Sequence, residues 1–515
     1  MKKTTNWMRL VCLLMAVLMS VALFAGCKKD EVKNESSKPP TKADNSTPQT
    51  DLIEEAQDTW SPNIPEEKDL GGFDLSFAVY AGETDYIIPE EGETAEGDLI
   101  RESMLDLQKR YNITFSTVEI IDWNAEVLPN LLAGDQVAHV LLPTVHQTGA
   151  YISARLLADW KADAVSKYIK PERDWWWNET MQYATTVGGK TYAGCCNIVN
   201  YAESTTVMIF NKNILKEIGK SENDLYKMYN DKSWTWNAFR EIAALAVKDL
   251  NNDGVMDEKD RWGLACPDYD TIVAFLTSAG ADSIRSDDGI TAKYTYTDTY
   301  SIKTITTLNE MFTLDNFFWT GSMKSRENEG KGDWAYVGHF VSGKALFTAG
   351  GVGFASRERV READFDIGMM PLPKGPVNDK NDADGWQDKY KSRVDHNFKA
   401  TLIPANNPDI EKTAFVLEAV AFTRWQLTNK YMEAFGIAYF NDDTSAEMVT
   451  EIYNWSTFEI SQPFISVDNG SFSTLVFDPL FKGICYTPNF DVVGTFSSVA
   501  DAAQVIIDEY FAGKR

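Results

Sequence analysis

Histidine is nearly missing from this chain: His139, His146, His339 and His396 are the only four among 515 residues. No H-E-x-x-H pair, G-x-S-x-G elbow or P-loop occurs, so the linear signatures of zinc proteases, serine hydrolases and nucleotide hydrolases are excluded. A glycosidase carboxylate pair would leave no such trace, because it is assembled in space. Basic charge is also short. The 49 Lys and Arg against 76 Asp and Glu leave a net charge of −27, which repels phosphate and argues against nucleic acid. The same excess disfavours an anionic membrane surface as a partner for the protein's own charge, and it keeps a secreted protein soluble. Cysteine is sparse and oddly placed. Cys12 lies in the first apolar run, Cys27 just beyond it, and Cys195, Cys196, Cys266 and Cys485 in the body. The adjacent pair Cys195-Cys196 lacks the spacing of a zinc site. A disulfide to Cys266 or Cys485 and free buried thiols both stay open.

Residues 10–24 form an apolar run after Lys2, Lys3 and Arg9. Its length of about fifteen residues suits a signal h-region and is short for a membrane span. It ends in Phe24-Ala25-Gly26-Cys27, which resembles the bacterial lipobox, with Phe24 where that motif has Leu. The resemblance implies diacylglycerol on the Cys27 thiol and a mature N-terminus there, so residues 1–27 are expected to be a lipoprotein signal peptide. Residues 28–67 are rich in Ser, Lys, Pro, Thr, Asn, Asp and Glu and are expected to be a disordered tether.

The remaining length exceeds one core and predicts two or more domains. Phe73–Tyr80 alternates as a strand, Leu99–Tyr111 has helical spacing, Ile113–Ile121 is a strand, Trp123–Leu132 a helix closed by Gly134, and Val137–Leu142 a buried strand. That order predicts a doubly wound sheet with ligands beyond the carboxyl ends of its strands. The loops Tyr80–Glu83 and Pro143–Gln147 are therefore candidate sites. From Thr191 to Leu215 two strand-like runs stand in line with a polar break, Asn200 to Ser204, between them. A chain passing from one sheet into another would read this way. Trp234–Lys248 is an amphipathic helix with Ser233 as its expected N-cap. The 15 Trp, 21 Tyr and 27 Phe supply faces that stack on sugar rings, although most belong to cores.

After that helix, Asp249-Leu250-Asn251-Asn252-Asp253-Gly254-Val255-Met256-Asp257-Glu258-Lys259-Asp260 carries oxygen groups at loop positions 1, 3, 5, 9 and 12 and Gly at 6. This is the spacing of an EF-hand-type calcium loop, with Asp at position 12 as in dockerin-like loops. The expected ligands are Asp249, Asn251, Asp253, the Val255 carbonyl, Asp257 and Asp260, around a structural Ca2+. An Asx-rich turn without an ion is the alternative.

Several segments resemble the extracellular solute-binding proteins of family 1 type, which serve ABC importers for sugars. They are the crossover at 191–215, Leu156-Leu157-Ala158-Asp159-Trp160, Trp234-Thr235-Trp236-Asn237-Ala238-Phe239, Phe340–Phe347, Phe365–Gly375 and Ile403–Val420. The resemblance covers the chain from about Phe73 onward. It implies an α/β, two-lobed periplasmic-binding-protein-like fold, each lobe a doubly wound sheet, joined by three hinge crossings. Expected boundaries are 68–198 plus 348–400 for lobe 1 and 199–347 plus 401–515 for lobe 2. It implies a lipid-anchored protein at the extracellular face of a bacterial cell membrane. That protein would be a monomer that binds a carbohydrate, an oligosaccharide in preference to a single sugar, and hands it to ABC permease subunits without catalysis or a catalytic cofactor. Its contact with the membrane would be through the lipid alone. Hydrogen bonds to ligand are expected from Tyr80, Glu83, His146, Gln147, Asn200, Tyr201 and His396, and stacking from some of Trp177, Trp319, Trp334 and Trp386. A surface-anchored carbohydrate-active enzyme or adhesion module, and a binder of peptides or other solutes on the same scaffold, are the alternatives.

Overall fold

Alternation along Phe73–Tyr80 decides where the first lobe begins. Phe73, Leu75 and Phe77 turn into the core while Asp74 stays in solvent, and this strand, β1, seeds a five-stranded sheet. The computed structural model describes residues 61, 63–176, 179–199, 203–319, 335–376 and 390–514. In chain order the elements that matter are β1, helix α1 (Ala95–Tyr111), β2 (Ile113–Ile120), β3 (Val140–Leu141), β4 (Ala193–Gly194), β5 (Thr206–Asn211), α2 (Trp236–Ala246), β6 (Trp262–Leu264), α3 (Asp268–Ser278), β7 (Ala345–Gly351), β8 (Ile367–Pro371), β9 (Thr401–Leu402), α4 (Ile410–Tyr439) and α5 (Asp443–Trp455). Helix α1 is bounded by chemistry visible in the sequence. The Thr94 hydroxyl accepts from the Gly97 amide, and Asn112 ends the helix in the left-handed region at φ 49°.

The first sheet runs in the order β2-β1-β3-β9-β4, and the second in the order β8-β5-β7-β6. In the first, β1 pairs parallel with β2 and β3. Strand β9 returns antiparallel beside β3 and β4. In the second, every residue of β5 is buried, and β7 and β8 flank it antiparallel. The fold is the two-lobed, periplasmic-binding-protein-like α/β arrangement. Its lobes are joined where the chain leaves β4 for β5, where it leaves β8 for β9, and where α4, packed on α1, hands over to α5, which lies on β8.

The first of these crossings falls where the sequence placed it. The second does not. Phe340 and Val341 end a helix (Ala335–Val341), Gly343 turns at φ 72°, and β7 that follows stays in the second sheet, as does β8. The expected lobe-1 segment 348–400 therefore holds two strands of the second sheet, while 401–402 pairs in the first. Both β7 and β8 find their partner in the fully buried β5, a pairing between segments far apart in sequence that local periodicity does not reveal. The helix after Ser233 is capped by Thr235, whose hydroxyl accepts from the Ala238 amide, and not by Ser233.

Close approach at the crossing requires glycine. A Cβ on Gly351 would lie 2.4 Å from the Glu203 carbonyl, and the Gly353 amide donates to that same oxygen at 2.9 Å.

The Trp175–Trp177 run has a specific structural use. Trp175 and Trp176 are buried, and their indole N–H groups donate to the two oxygens of Glu418 on α4, at 2.9 and 2.6 Å. Ser61 Oγ and Asn63 Nδ2 donate to Glu418 Oε1 at 2.7 and 2.9 Å. The expected tether thus stops short of residue 67: Ser61 and Ile64 are buried against the body. Burial raises the Glu418 carboxyl, and the donors around it oppose that shift. Glu418→Ala would leave four donors without their acceptor, two of them buried indoles. We expect a loss of about 3 kcal/mol in urea unfolding, with a smaller loss for Asn63→Ala.

Candidate functional site

The carboxyl ends of β1 and β3 and the approach to β9 meet at the edge of the first lobe. Thr144 bridges antiparallel to Lys399, and the Val145 amide donates to the Phe398 carbonyl at 2.7 Å. This brings together Tyr80, Glu83, His146, Gln147 and His396, five of the residues expected from the sequence. The Tyr80 hydroxyl donates to Gln147 Oε1 at 2.8 Å. Lys399 Nζ sits 3.0 Å from Glu83 Oε2 and 4.0 Å from the centre of the Tyr80 ring. His146 and His396 pack edge to face with centroids 5.1 Å apart.

The second lobe contributes from α3. Asp270 Oδ1 lies 2.8 Å from His396 Nδ1, and Asp395 Oδ1 lies 3.3 Å from the same nitrogen. Arg393 adds its guanidinium to Asp270 at 3.6 Å and to Glu459 at 3.4 Å. Burial works against the His396 charge, but Asp270 and Asp395 outweigh it and raise its pKa. Burial and the neighbouring His396 charge push His146 the other way, down to about 4. The His396 charge pulls Asp270 down to about 2 against the effect of its own burial. His396, held between the carboxyl groups of Asp270 and Asp395, thus links the lobes, with His146 packed beside it. Asp270, Asp395 and His396 are also the one group of three Asp, Glu, His or Cys among the described residues whose ligand atoms lie within 4.8 Å of one another.

Beside this cluster is a cavity of about 230 Å³. Its walls come from the loop after β1 (Asp85, Tyr86), the start of α1, the first crossing (Asn197, Ile198, Glu203), Ser356 after β7, and the second half of α4. Glu83 of the cluster and Glu203 of the cavity both act on the Tyr86 hydroxyl, raising its pKa on top of burial. Arg424 closes one wall. Its Nε donates to the Asn197 carbonyl at 3.1 Å, and its Nη2 to the carbonyls of Tyr86 and Ile198 at 2.7 and 2.5 Å. Burial lowers its pKa to about 10. The Tyr431 hydroxyl donates to Glu203.

Trp319 stacks on His339 at 3.9 Å, on the second lobe, where its backbone amide donates to Leu264. Trp177, Asn200, Tyr201, Trp334 and Trp386 lie outside the described residues. Sequence reasoning missed Lys399, Asp270 and Asp395 in the cluster and Asn197, Glu203, Arg424 and Tyr431 in the cavity. A signal existed for Arg424, a lone arginine in the apolar stretch Ala414–Trp425, and for Lys399, which stands beside His396 before a strand.

The loop 249–260 turns as its spacing requires, with Gly254 at φ 81°. As folded, its oxygens serve its own amides. Asp249 accepts from Asn252 and Gly254, Asp260 from Leu250 and Asp257, and Asp257 from Lys259, whose ammonium also pairs with it at 3.0 Å. No three of its carboxylates converge within 4.8 Å, so this geometry by itself is not a formed cation cage. Cys195, Cys196, Cys266 and Cys485 are buried and form no disulfide among the described residues.

The sequence profile of the family described as bacterial extracellular solute-binding protein matches residues 92–433. The chain belongs to this family. Solved structures similar to this solute-binding protein include the ABC substrate-binding protein Lmo0181 from Listeria monocytogenes in complex with cycloalternan, at 14% identity and TM-score 0.51, covering 84% of this chain and 98% of that one. The GacH receptor of Streptomyces glaucescens, solved unliganded and with acarbose, gives 14% and 0.52, with 85% and 99% covered. UgpB from Mycobacterium tuberculosis in complex with glycerophosphocholine gives 16% and 0.53, again with 85% and 99% covered. At such identities the likeness shows the fold. No curated protein matches the chain in sequence. Among the described residues, no helix is long and apolar enough to cross a membrane.

The two histidines set opposite pH limbs. His396, with its pKa raised above the ordinary 6.5, contributes stability that is present below 6.5 and lost as pH rises through its folded value. His146, lowered to about 4, makes the folded state lose stability as pH falls from 6.5 toward 4. Thermal midpoints across pH should therefore peak near the ordinary histidine value. His396→Gln should flatten the alkaline limb and His146→Gln should lessen the acid limb, to which His139 and His339, both also lowered by burial, contribute; unchanged limbs in both variants would refute the assignment.

Proposed function

We propose that this protein captures a carbohydrate between its lobes at the extracellular face of the cell membrane and delivers it to an ABC permease, held there by lipid on Cys27, acting as a monomer and without catalysis. The observation that carries the reading is the junction of the lobes. Polar side chains from the loops after β1 and β3, from the approach to β9 and from α3 converge there, beside a cavity walled by both lobes. A ring of hydroxyls needs many short polar contacts from different directions, and this junction supplies donors and acceptors together with the aromatic faces of Tyr80 and Tyr86. Three strands of connection allow the lobes to close on such a ligand without unfolding either one. Two of the similar structures hold sugar-like ligands by their descriptions, which supports the class of solute, while the ligand described for UgpB keeps a polar non-sugar solute as the second reading. We retain Trp177, Asn200, Tyr201, Trp319, Trp334 and Trp386 as candidate contacts alongside Tyr80, Glu83, His146, Gln147 and His396. Binding is expected to raise the thermal midpoint with a neutral oligosaccharide, with no new reducing ends released. Gln147→Ala and Glu83→Ala should each weaken binding by about tenfold. Turnover abolished by a single carboxylate substitution would instead establish an enzyme.

The reading includes a structural calcium ion at loop 249–260, supported by the ligand spacing and the Gly254 turn; binding would redirect side-chain oxygens from loop amides to the ion. Millimolar calcium should raise the thermal midpoint of the wild type and leave Asp249→Ala unaffected. An equal response from both proteins counts against it.

A further inference from the structure

Beyond the three crossings, the chain after α5 binds both lobes by turns. Residues 148–188 belong to the first lobe, where the Trp160 ring packs on Gly194 of β4. Residues 284–313 belong to the second, where Phe312 meets Phe275 of α3 with ring centres 5.9 Å apart. The chain after α5 first lies on the first lobe, against the short helix Thr148–Ser153. There the Ala150 amide donates to Ser466 Oγ at 3.2 Å, and Gly149 lets the Pro463 carbonyl so close that a Cβ would lie 2.2 Å from it. Helix α6 (Asp478–Tyr486) then packs on the second lobe. Asn309, 2% exposed in the helix Thr299–Thr313, donates from Nδ2 to the carbonyls of Gly483 and Thr487, both at 2.9 Å. Helix α7 (Val492–Phe511) serves both lobes. Its Gln504 accepts from the Tyr294 amide at 2.9 Å and donates to the Ala292 carbonyl at 3.0 Å, in the second lobe. Its last turn lies in the first lobe. The Tyr510 hydroxyl donates to the Ala184 carbonyl at 3.1 Å. The Gly188 amide donates to the Phe511 carbonyl at 2.9 Å, and Arg155 Nη2 to the Gly513 carbonyl at 3.1 Å.

Gln504 and Tyr510 stand on one helix, separated by a rise of roughly 9 Å. A helix keeps its length, because each turn is bonded to the next. The lobes therefore cannot separate at α7 by more than side-chain play unless one set of bonds breaks. The Tyr510 ring is fully buried, its centre 4.6 Å from that of Phe464, so letting go of the first lobe also exposes aromatic surface. The crossings differ from these ties. A covalent connection permits an open and a closed arrangement and favours neither, whereas bonds made to both lobes at once exist in one arrangement and favour it. We infer that residues 456–513 form a clasp that holds the two lobes together before any solute arrives, and that the lobes part only when the last turn of α7 leaves the first lobe. The inference concerns the lobes alone and stands whatever the solute is.

The test is a pulsed electron–electron resonance distance measurement, made without solute on the full chain. Nitroxides are carried on ketone-bearing residues in place of Glu102 of α1 and Lys303 of the helix Thr299–Thr313, both exposed, which leaves the native thiols alone. The otherwise wild-type chain should give one narrow distance distribution. Ending the chain after Glu509 removes the ties of the last turn and should widen the distribution at least about twofold, toward longer distances. Should the shortened chain fail to fold, Arg155→Ala combined with Gln504→Ala cuts ties on both lobes without touching a buried side chain, and should widen the distribution as well. A full chain already as wide as the shortened one would overturn the inference. So would a folded shortened chain, or the double variant, as narrow as the full chain.

Discussion

Arg424 holds the first crossing and the loop after β1 to α4. From the middle of α4 its guanidinium reaches three backbone carbonyls, those of Tyr86 in the loop after β1 and of Asn197 and Ile198 in the first crossing. Two pieces of chain distant in sequence are thereby held to one planar group on a third, α4. Arginine suits the task because its fork points several donors along fixed directions, which a lysine ammonium does not. Its burial is costly, and the carbonyl dipoles offset that cost only with all three in place. The same group also forms part of the cavity wall.

A second charged assembly, Asp270-His396-Asp395 with Arg393 and Glu459, sits at the other edge of the junction. It ties α3 of the second lobe to the approach to β9 in the first. The two assemblies differ in kind. Arg424 bonds backbone, whereas the histidine cluster is made of side chains that pair with one another. Both lie where the chain passes between sheets, and there backbone amides and carbonyls that would otherwise pair in a ladder need side-chain partners.

Much of the first lobe was legible in the sequence. The strands and helix from Phe73 to Ile120 follow from alternation, helical spacing and end caps that act locally, and the loops after β1 and β3 were candidates because ligands gather beyond strand ends in such sheets. The second lobe was harder. Strands β7 and β8 share a sheet with β5 only through pairings across more than a hundred residues, and no local pattern distinguishes that from a return to the first lobe. The cavity was invisible for a similar reason. Arg424, Asn197 and Tyr431 come from a helix and a crossing, and their meeting depends on the packing of α4 on α1. The pairing of Trp175 and Trp176 with a buried carboxylate on α4 was likewise outside the reach of local pattern.

That carboxylate, Glu418, also receives Ser61 and Asn63, the first described residues of the chain. Whatever precedes them therefore leaves the body from a point pinned to α4 and the two indoles, deep in the first lobe. A pull transmitted through Ser61 and Asn63 would be borne by that lobe's core and would spare the connections between the lobes. The second lobe carries no such tie to the first described residues of the chain.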